Sequence, residues 1–337
     1  MSALRARLES GLNHLWYQKS WLSHLLLPLS WMVGWEVTRR RRQAPPKGAT
    51  PEGVTVIVVG GITVGGTGKT PVLMALGQAL VRAGYRIGVV SRGYGADTVS
   101  KPHWVAPDQH PSVTGDEPLL IRRALDVPVV VCRDRAEALE ALVREQPVDV
   151  VLSDDGLQHY GLMRDLEVVV LDADRGLGNG RLLPAGPLRE PATRLQSVDW
   201  CLERNGRHPD SAVRYDITAV RHRQSGTVVG VSALKAAFPG RSIAAATGLG
   251  QPEQFFDMLE SQGLDFNRHI YPDHHVLTVA DLNRIEADVV LITAKDNTKL
   301  VAIDDPRIWV VEIEAQLPAS FVAEVLQRLP ALSPTQD

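Results

Sequence analysis

Residues 54–70 read VTVIVVGGITVGGTGKT and decide the fold of the chain. The β-branched run from Val54 to Val59 predicts a buried strand, and the run VLMALGQALVRAG, which begins at Val72, predicts a helix. Between them lie closely spaced glycines followed by Lys69 and Thr70, the arrangement of a phosphate-binding loop (P-loop). Backbone N–H groups and the helix N-terminus face phosphate oxygens in such a loop. The stretch therefore predicts binding of a nucleoside triphosphate.

The loop departs from the G-x-x-x-x-G-K-[ST] pattern at its first position, where this chain has Thr63. A glycine-rich turn with an incidental lysine is the alternative interpretation. Lys69 is expected to bridge the β- and γ-phosphates of ATP, and the Thr70 hydroxyl to hold Mg²⁺. The predicted ATP-binding residues are consecutive: Thr63, Val64, Gly65, Gly66, Thr67, Gly68, Lys69 and Thr70.

The totals are those of a globular protein long enough for two domains: 337 residues, 44% hydrophobic and 22% charged. A net charge of −3 gives no indication of nucleic-acid binding, and no nucleic-acid partner is predicted. Cys132 and Cys201 lie in apolar, strand-like segments, and no Cys/His spacing typical of zinc sites occurs. Both are expected to be free thiols in a reducing compartment.

The N-terminal segment, residues 1–50, is rich in tryptophan and carries a net charge of +6 over residues 1–47. Its apolar stretch 21–35 is shorter than the roughly 20 residues needed to span a bilayer core. Tryptophan prefers the headgroup boundary and arginine prefers anionic lipid, so the segment predicts an interfacial helix on the cytoplasmic leaflet, followed by a linker. A helix packed on the protein's own core is the alternative, and both can hold for different faces. The residues concerned are Trp16, Trp21, Trp31, Trp35 and Arg39–Arg42.

Strand and helix signals alternate through residues 51–200, which predicts an α/β fold with a parallel sheet and helices on both faces. The segment VDVVLSDDGLQHYGL is a buried strand that ends in acids, the Walker-B arrangement for Mg²⁺. Asp172 and Asp174 end a competing strand. Asp154 is preferred because its loop adds Gln158 and His159, polar groups able to meet a substrate. The predicted metal ligands are Thr70, Asp154, Asp155 and Glu117.

Further polar residues follow predicted strands or lie in ordered loops. Tyr94 falls at the carboxyl end of the second strand, where ligands bind in open α/β sheets. Arg189 and Glu190 end the segment RLLPAGPLREP, which predicts a substrate loop. Asp116 and Glu117 precede a helix, and taken alone they are better explained as capping carboxylates.

Residues 201–230 alternate like a β-hairpin, and residues 231–337 begin new strand-helix units. His274 lies in a loop before a helix. Too few ligand residues stand nearby for a zinc site, so it is expected either to orient a carboxylate or substrate or to be solvated. Lys295 and Asp296 open another helix at a strand end, where they are able to contact a phosphate or a base.

The segments TVGGTGKTP, SRGYG, GDEP, SDDGLQH, LPAGPLREP, YPDHH and TAKD, in this order after a Trp-rich N-terminus, resemble the tetraacyldisaccharide 4′-kinases (lipid A 4′-kinases). The resemblance implies Mg²⁺-dependent transfer of the ATP γ-phosphate to the 4′-hydroxyl of tetraacyldisaccharide 1-phosphate. The product is lipid IVA, and the reaction takes place at the cytoplasmic face of the Gram-negative inner membrane. It also implies a P-loop catalytic domain, a two-stranded β linker and a smaller C-terminal α/β/α domain, here over residues 51–200, 201–230 and 231–337.

By this resemblance Asp116 is the catalytic base and His274 its partner, while Asp154 and Asp155 are the paired Walker-B acids. The residues that line the family's active site match Tyr94, Gln158, His159, Arg189 and Glu190. Two other hypotheses remain open from the residues themselves. One is a membrane-docked P-loop ATPase that switches a protein partner, and the other is a soluble kinase of a small metabolite whose first 45 residues dock a protein.

Overall fold

The computed structural model describes residues 11, 15–17, 21–96, 100–301 and 303–331. In these residues the strands form one sheet and are numbered here in chain order: β1 Thr55–Gly60, β2 Ile87–Ser91, β3 His103–Trp104, β4 Val129–Val131, β5 Val150–Asp154, β6 Leu166–Asp172, β7 Trp200–Arg204, β8 Ala212–His222, β9 Val228–Gly230, β10 Ile243–Thr247, β11 Asn267–Ile270, β12 Val289–Thr293 and β13 Ile308–Gln316.

The α-helices of the described residues alternate with these strands over most of the chain. They are α1 Leu27–Arg42, α2 Lys69–Arg82, α3 Pro111–Thr114, α4 Asp116–Leu125, α5 Arg135–Glu145, α6 Leu234–Ala237, α7 Pro252–Ser261, α8 Val279–Asn283, α9 Ala294–Lys299 and α10 Ala319–Arg328. Short 3₁₀ turns occupy Trp21–Leu26, Ala192–Gln196 and Val231–Ala233.

The sheet follows the order β11-β10-β12-β13-β8-β7-β6-β1-β5-β2-β4-β3, with β9 paired to β8. Parallel pairs predominate; among the numbered strands of the described residues, the antiparallel pairs are β13–β8, β8–β9 and β3–β4. The antiparallel β8–β9 pair is a hairpin within the predicted segment 201–230, whereas β7, at the start of that segment, pairs parallel with β6. The predicted α/β class with a mostly parallel sheet is confirmed.

Helices cover both faces of the sheet because the strands bury apolar side chains on each side. Around β1, one apolar cluster joins the sheet to α2, α4 and α10, while another joins its opposite face to α5. Two further clusters enclose the strands of the second half of the chain, by which we mean the residues after 200. One cluster lies under α7 and the other under α8. The carboxyl ends of the central parallel strands are thereby left as the open edge on which a site can form.

The last helix, α10, packs with the first half of the chain. Phe321 and Val325 are buried in the same cluster as Leu73 and Leu76 of α2. The predicted segment 231–337 therefore includes a helix that packs on the first half of the chain. The division at residues 50, 200 and 230 stays a prediction.

Helix α1 has two different faces. Ser30 is buried, donates a hydrogen bond from Oγ to the Leu182 carbonyl (2.8 Å), and accepts one from the Ala185 N–H (3.0 Å). The opposite side, with the preceding 3₁₀ turn, exposes a set of large apolar residues: Trp21, Leu22, Leu25, Leu29, Trp31, Met32 and Trp35. In the described residues no helix has both the length and the apolar character needed to cross a bilayer. Residues 1–10, 12–14 and 18–20 of the predicted segment 1–50 lie outside the described residues, whereas Trp16 is described and is buried.

Candidate active site

A cleft of about 810 Å³ opens at the carboxyl ends of the central strands. Its floor is the P-loop, from Gly65 to Thr70, and its far wall comes from loops of the second half around His274 and Lys295. Both halves of the chain therefore contribute to one site. Two of the predicted loop residues lie outside it. Thr63 is buried in a bridge to Leu188, and the Val64 N–H donates to the Pro187 carbonyl (2.9 Å).

The P-loop takes its shape from its glycines. Gly68 has φ +84°, a left-handed conformation that glycine adopts without steric cost, and it is the N-cap of α2. Lys69 begins the helix, so its backbone N–H is among the unpaired donors of the first turn. Its Nζ lies 3.7 Å from Asp155 Oδ1. The loop thus offers backbone N–H groups and one cation to the cleft.

Asp154 reaches the P-loop because β5 pairs with β1, with Asp154 opposite Val59. Its Oδ2 accepts a hydrogen bond from Ser91 Oγ (3.1 Å) at the end of β2. Asp155 Oδ2 accepts a charge-assisted hydrogen bond from Arg189 Nη1 (2.8 Å). The predicted pair of acids therefore stands beside the phosphate loop.

The charges around these acids fit a divalent cation. Burial, together with the neighbouring carboxylates of Glu117 and Asp155, raises the pKa of Asp154. Asp155 Oδ1 is buried and accepts no hydrogen bond from the described residues. No group of three or more His, Cys, Asp or Glu side chains in the described part of the chain is placed to hold a metal ion. Mg²⁺ usually takes one or two carboxylates, with phosphate and water completing its shell, so the residues present fit that ion.

Asp116 and His274 meet at the edge of the cleft, which His274 lines while Asp116 lies buried behind it. His274 Nδ1 lies 3.3 Å from Asp116 Oδ2, although the two residues come from different halves of the chain. Gly115 holds Asp116 close to the end of β2, since a Cβ at Gly115 would lie 2.7 Å from the Tyr94 carbonyl oxygen. The sequence alone left Asp116 as a helix cap. The structure places it at the first residue of α4 and pairs it with the predicted histidine.

The environment of Asp116 keeps it ionised. Burial alone raises its pKa, but the hydrogen bond with His274 and the charge of Lys295 outweigh burial and lower the pKa to about 2. The N-terminus of α4 also favours a negative charge at this position. Asp116 is therefore a carboxylate at neutral pH, able to accept a proton.

Lys295 and Asp296 are neighbours with different surroundings. Lys295 Nζ donates to Glu117 Oε1 (2.8 Å) and lies 4.0 Å from Asp116 Oδ2. Asp296 is buried and accepts hydrogen bonds from the Thr247 hydroxyl (2.7 Å) and the Gly248 N–H (3.2 Å). The Gly248 carbonyl in turn accepts from the His274 N–H (3.1 Å). Asp296 thus supports the loop of His274, while Lys295 faces the cleft.

Four of the five predicted substrate residues line the cleft: Tyr94, Gln158, His159 and Arg189. The ring of Tyr94 lies 5.3 Å from that of His274. Glu190 does not reach the cleft surface. It is fully buried, and its carboxylate accepts hydrogen bonds from Gln158 Nε2 (2.7 Å) and Arg194 Nε (3.1 Å). Its contacts are those of a residue that holds Gln158 in place.

Several cleft residues were not identified from the sequence. Arg135 Nη2 donates to the carbonyls of Asp154 and Asp155, at 3.0 Å each, and so shapes the acidic loop. Tyr215 and Arg204 approach the P-loop from β8 and the end of β7. No local pattern marks these residues, since each acts on a segment distant in sequence.

A glycine loop between a buried strand and a helix, with acids at the neighbouring strand end and a His-paired carboxylate beside the same cleft, defines a P-loop phosphotransferase. The sequence profile of the family described as tetraacyldisaccharide-1-P 4′-kinase matches residues 22–330. The chain belongs to the tetraacyldisaccharide 4′-kinase family.

Individual relatives agree with this assignment. The tetraacyldisaccharide 4′-kinase of Chromobacterium violaceum is 43% identical over 332 residues, covering 93% of this chain and 96% of the relative. That of Alcanivorax borkumensis is 42% identical over 318 residues, covering 93% and 95%. The crystal structure of LpxK from Aquifex aeolicus in complex with ATP matches with a TM-score of 0.73 at 25% identity, over 92% of this chain and 100% of that one. The protein is thus an ATP-binding kinase of lipid A biosynthesis, and the comparisons do not support the ATPase-switch alternative.

Proposed function

We propose that the protein transfers the γ-phosphoryl group of ATP to the 4′-hydroxyl of tetraacyldisaccharide 1-phosphate and so forms lipid IVA. The observation that carries the proposal is the Asp116–His274 pair at 3.3 Å, beside a cleft floored by the P-loop. A sugar hydroxyl is a weak nucleophile and needs a base to accept its proton. A bare ATPase switch has no such requirement.

The reaction is an in-line displacement at the γ-phosphorus. The bond between that phosphorus and the β,γ-bridging oxygen breaks as the bond to the 4′-oxygen forms, and ADP leaves. Asp116 accepts the hydroxyl proton, and His274 holds the carboxylate in place. Lys69 and the N–H groups of the loop stabilise the negative charge on the transferred group.

Thr70, Asp154 and Asp155 are the residues that would hold Mg²⁺, which supplies positive charge to the phosphate oxygens when bound. Glu117 is placed differently from the other predicted ligands, because its carboxylate already contacts Lys295. We therefore assign Glu117 to pairing with Lys295 and not to direct contact with Mg²⁺. The second half contributes His274 and Lys295, and their approach excludes water from the transferring phosphoryl group.

The acceptor carries acyl chains, so the protein has to work at a membrane surface, for which α1 is suited. Its exposed side carries Trp31 and Trp35, 70% and 68% exposed, and Arg39–Arg42 follow at its C-terminal end. Arg40 also lines the cleft, so the basic end of α1 lies beside the active site. We assign the protein to the cytoplasmic face of the inner membrane, with α1 in the interface.

The double variant Trp31→Glu/Trp35→Glu is expected to bind vesicles of phosphatidylethanolamine and phosphatidylglycerol much more weakly than the unchanged protein. Loss of two large apolar side chains from the interface lowers the partition coefficient by roughly 100-fold. Co-sedimentation with the vesicles measures the effect.

The control is Val276→Glu/Val301→Glu, which charges two valines of the second half that are 52% and 50% exposed. This control should sediment as the unchanged protein does. Equal sedimentation of all three proteins would remove α1 from the interface and would favour the soluble-kinase hypothesis.

The acceptor assignment is tested with purified tetraacyldisaccharide 1-phosphate and its 4′-deoxy analogue. With the natural acceptor, mass spectrometry should show a product heavier by one phosphate, and phosphorus NMR should place it on the 4′-oxygen. The 4′-deoxy analogue should give none. Phosphorylation of the analogue, or at another oxygen, would contradict the assignment.

A further inference from the structure

We propose that Tyr215 is a positioning residue of the phosphate loop: its hydroxyl orients the Gly68 carbonyl so that the Lys69 N–H faces the ATP phosphates. The inference deepens the proposed function and rests on it for the kinetic readout only. Tyr215 lies on β8, in the predicted hairpin, and is not among the site residues predicted from the sequence.

The contact between Tyr215 and the loop is direct. Tyr215 Oη donates a hydrogen bond to the Gly68 carbonyl oxygen (2.9 Å). The ring also packs closely on Gly68, since a Cβ there would lie 2.8 Å from Tyr215 Cζ. Burial raises the pKa of the Tyr215 hydroxyl, so it stays protonated and remains a donor.

The geometry of the peptide bond carries the effect to the phosphate side. A trans peptide is planar, and its C=O and N–H point in opposite directions. Fixing the Gly68 carbonyl toward Tyr215 therefore fixes the Lys69 N–H toward the opposite side. The hydrogen bond that the Gly68 carbonyl accepts within α2 is weak, because the Val72 nitrogen lies 3.4 Å from the carbonyl oxygen. Tyr215 consequently provides the shorter of the two hydrogen bonds that orient this peptide.

Tyr215 is itself held firmly by its neighbours. The Arg204 guanidinium lies 4.6 Å from the centroid of the Tyr215 ring, a cation–π contact. Arg204 also donates to Gln254 of α7. On one side of β8, Tyr215 pairs with Ala315 of β13 in the second half. On the other side, Val213, two residues earlier, pairs with Arg204 of β7. The phosphate loop is thus supported by the strand that the two halves share.

The test is Tyr215→Phe, which keeps the ring and removes only the hydroxyl. Loss of the hydrogen bond leaves a partly buried carbonyl less well satisfied and its peptide less well oriented, and we expect the Kd and KM for ATP to rise about three- to thirtyfold. We expect the KM for the lipid acceptor to change by less than about twofold, since this peptide faces the ATP phosphates and not the acceptor. Calorimetry with ATP and Mg²⁺ gives the Kd without any acceptor, so it decides the matter even if the acceptor assignment fails.

Tyr85→Phe is the matched control. Tyr85 Oη also donates to a backbone carbonyl, that of Pro330 (3.1 Å), but outside the cleft. This variant should leave the Kd for ATP unchanged.

Inorganic tripolyphosphate separates positioning of the loop from contact with the nucleoside. We expect Tyr215→Phe to raise the Kd values for tripolyphosphate and for ATP by the same factor, because the Lys69 N–H faces phosphate. An unchanged Kd for ATP overturns the proposal. A loss confined to ATP also overturns it, since Tyr215 would then contact the adenosine. A rise in the KM for ATP and in the KM for the lipid acceptor, together with a lower Tm that Tyr85→Phe does not show, would also overturn it. Tyr215 would then be a merely structural residue.

Discussion

The Lys69→Ala variant is expected to lose phosphoryl transfer almost completely, with kcat lower by roughly 10³-fold, the upper end of what one preorganised donor contributes. Lys69 is the cation of the phosphate loop, and its Nζ lies 3.7 Å from Asp155 Oδ1. Without it, charge spreading over the γ-phosphoryl oxygens has no side-chain cation from the loop. ATP binding should weaken as well, because the same ammonium contacts the ground-state phosphates. Steady-state kinetics with the lipid acceptor, and calorimetry with ATP, measure the two effects.

Lys47→Ala is the matched control for Lys69→Ala. Lys47 also pairs with an aspartate, at 2.7 Å from Asp199, but outside the cleft. Its loss should leave kcat unchanged. Retained transfer in Lys69→Ala, with a Tm equal to that of the unchanged protein, would show that the phosphates bind elsewhere.

The Asp116→Asn variant is expected to lower kcat by roughly 10²- to 10⁴-fold, the range usual for loss of a general base. The amide keeps the size of the side chain but cannot accept the proton of the sugar hydroxyl. The Kd for ATP should change little, since Asp116 faces His274 and not the phosphate loop. This combination of a large loss in kcat with intact ATP binding distinguishes Asp116 from Lys69. Single-turnover kinetics with labelled ATP measures the loss in the chemical step.

Another Asp–His pair, outside the cleft, serves as a control for Asp116→Asn. His275 Nε2 lies 2.9 Å from Asp281 Oδ2, next to the His274 loop but outside the cleft. Asp281→Asn should keep kcat within about twofold of the unchanged protein, because a pair outside the cleft contacts no reacting atom. If Asp116→Asn behaved in the same way, Asp116 would not be the base.

Local sequence was sufficient for the phosphate loop. A β-branched strand, glycines and a Lys-Thr pair are signals carried within one segment, and β1 and α2 are found where they were predicted. The same holds for Asp154, because a parallel strand that ends in an acid brings that acid to the same sheet edge as the loop.

Local sequence patterns do not predict contacts between residues that are distant in sequence. From its own segment Asp116 reads as a helix cap, and only the resemblance to the kinase family gave it a role. Its pairing with His274 depends on how the two halves close on each other. Glu190 shows the opposite case. Beside Arg189 it reads as a substrate residue, yet the fold turns its carboxylate into the core toward Arg194.

Tyr215 marks a further limit of sequence analysis. In β8 the burial pattern alternates, and nothing in that alternation indicates that one tyrosine reaches the phosphate loop. The contact exists because β8 lies between β7 and β13 in the sheet. The order of strands, which no local pattern encodes, therefore decides which residues support the site.

The most direct test follows labelled phosphate. The protein is incubated with γ-labelled ATP, Mg²⁺ and total lipid from a Gram-negative inner membrane, and the lipids are then separated. Label is expected in a glycolipid that gains a second phosphate, and no lipid should be labelled in the absence of protein. Label released only as inorganic phosphate, at the same rate with and without lipid, would contradict the proposed function.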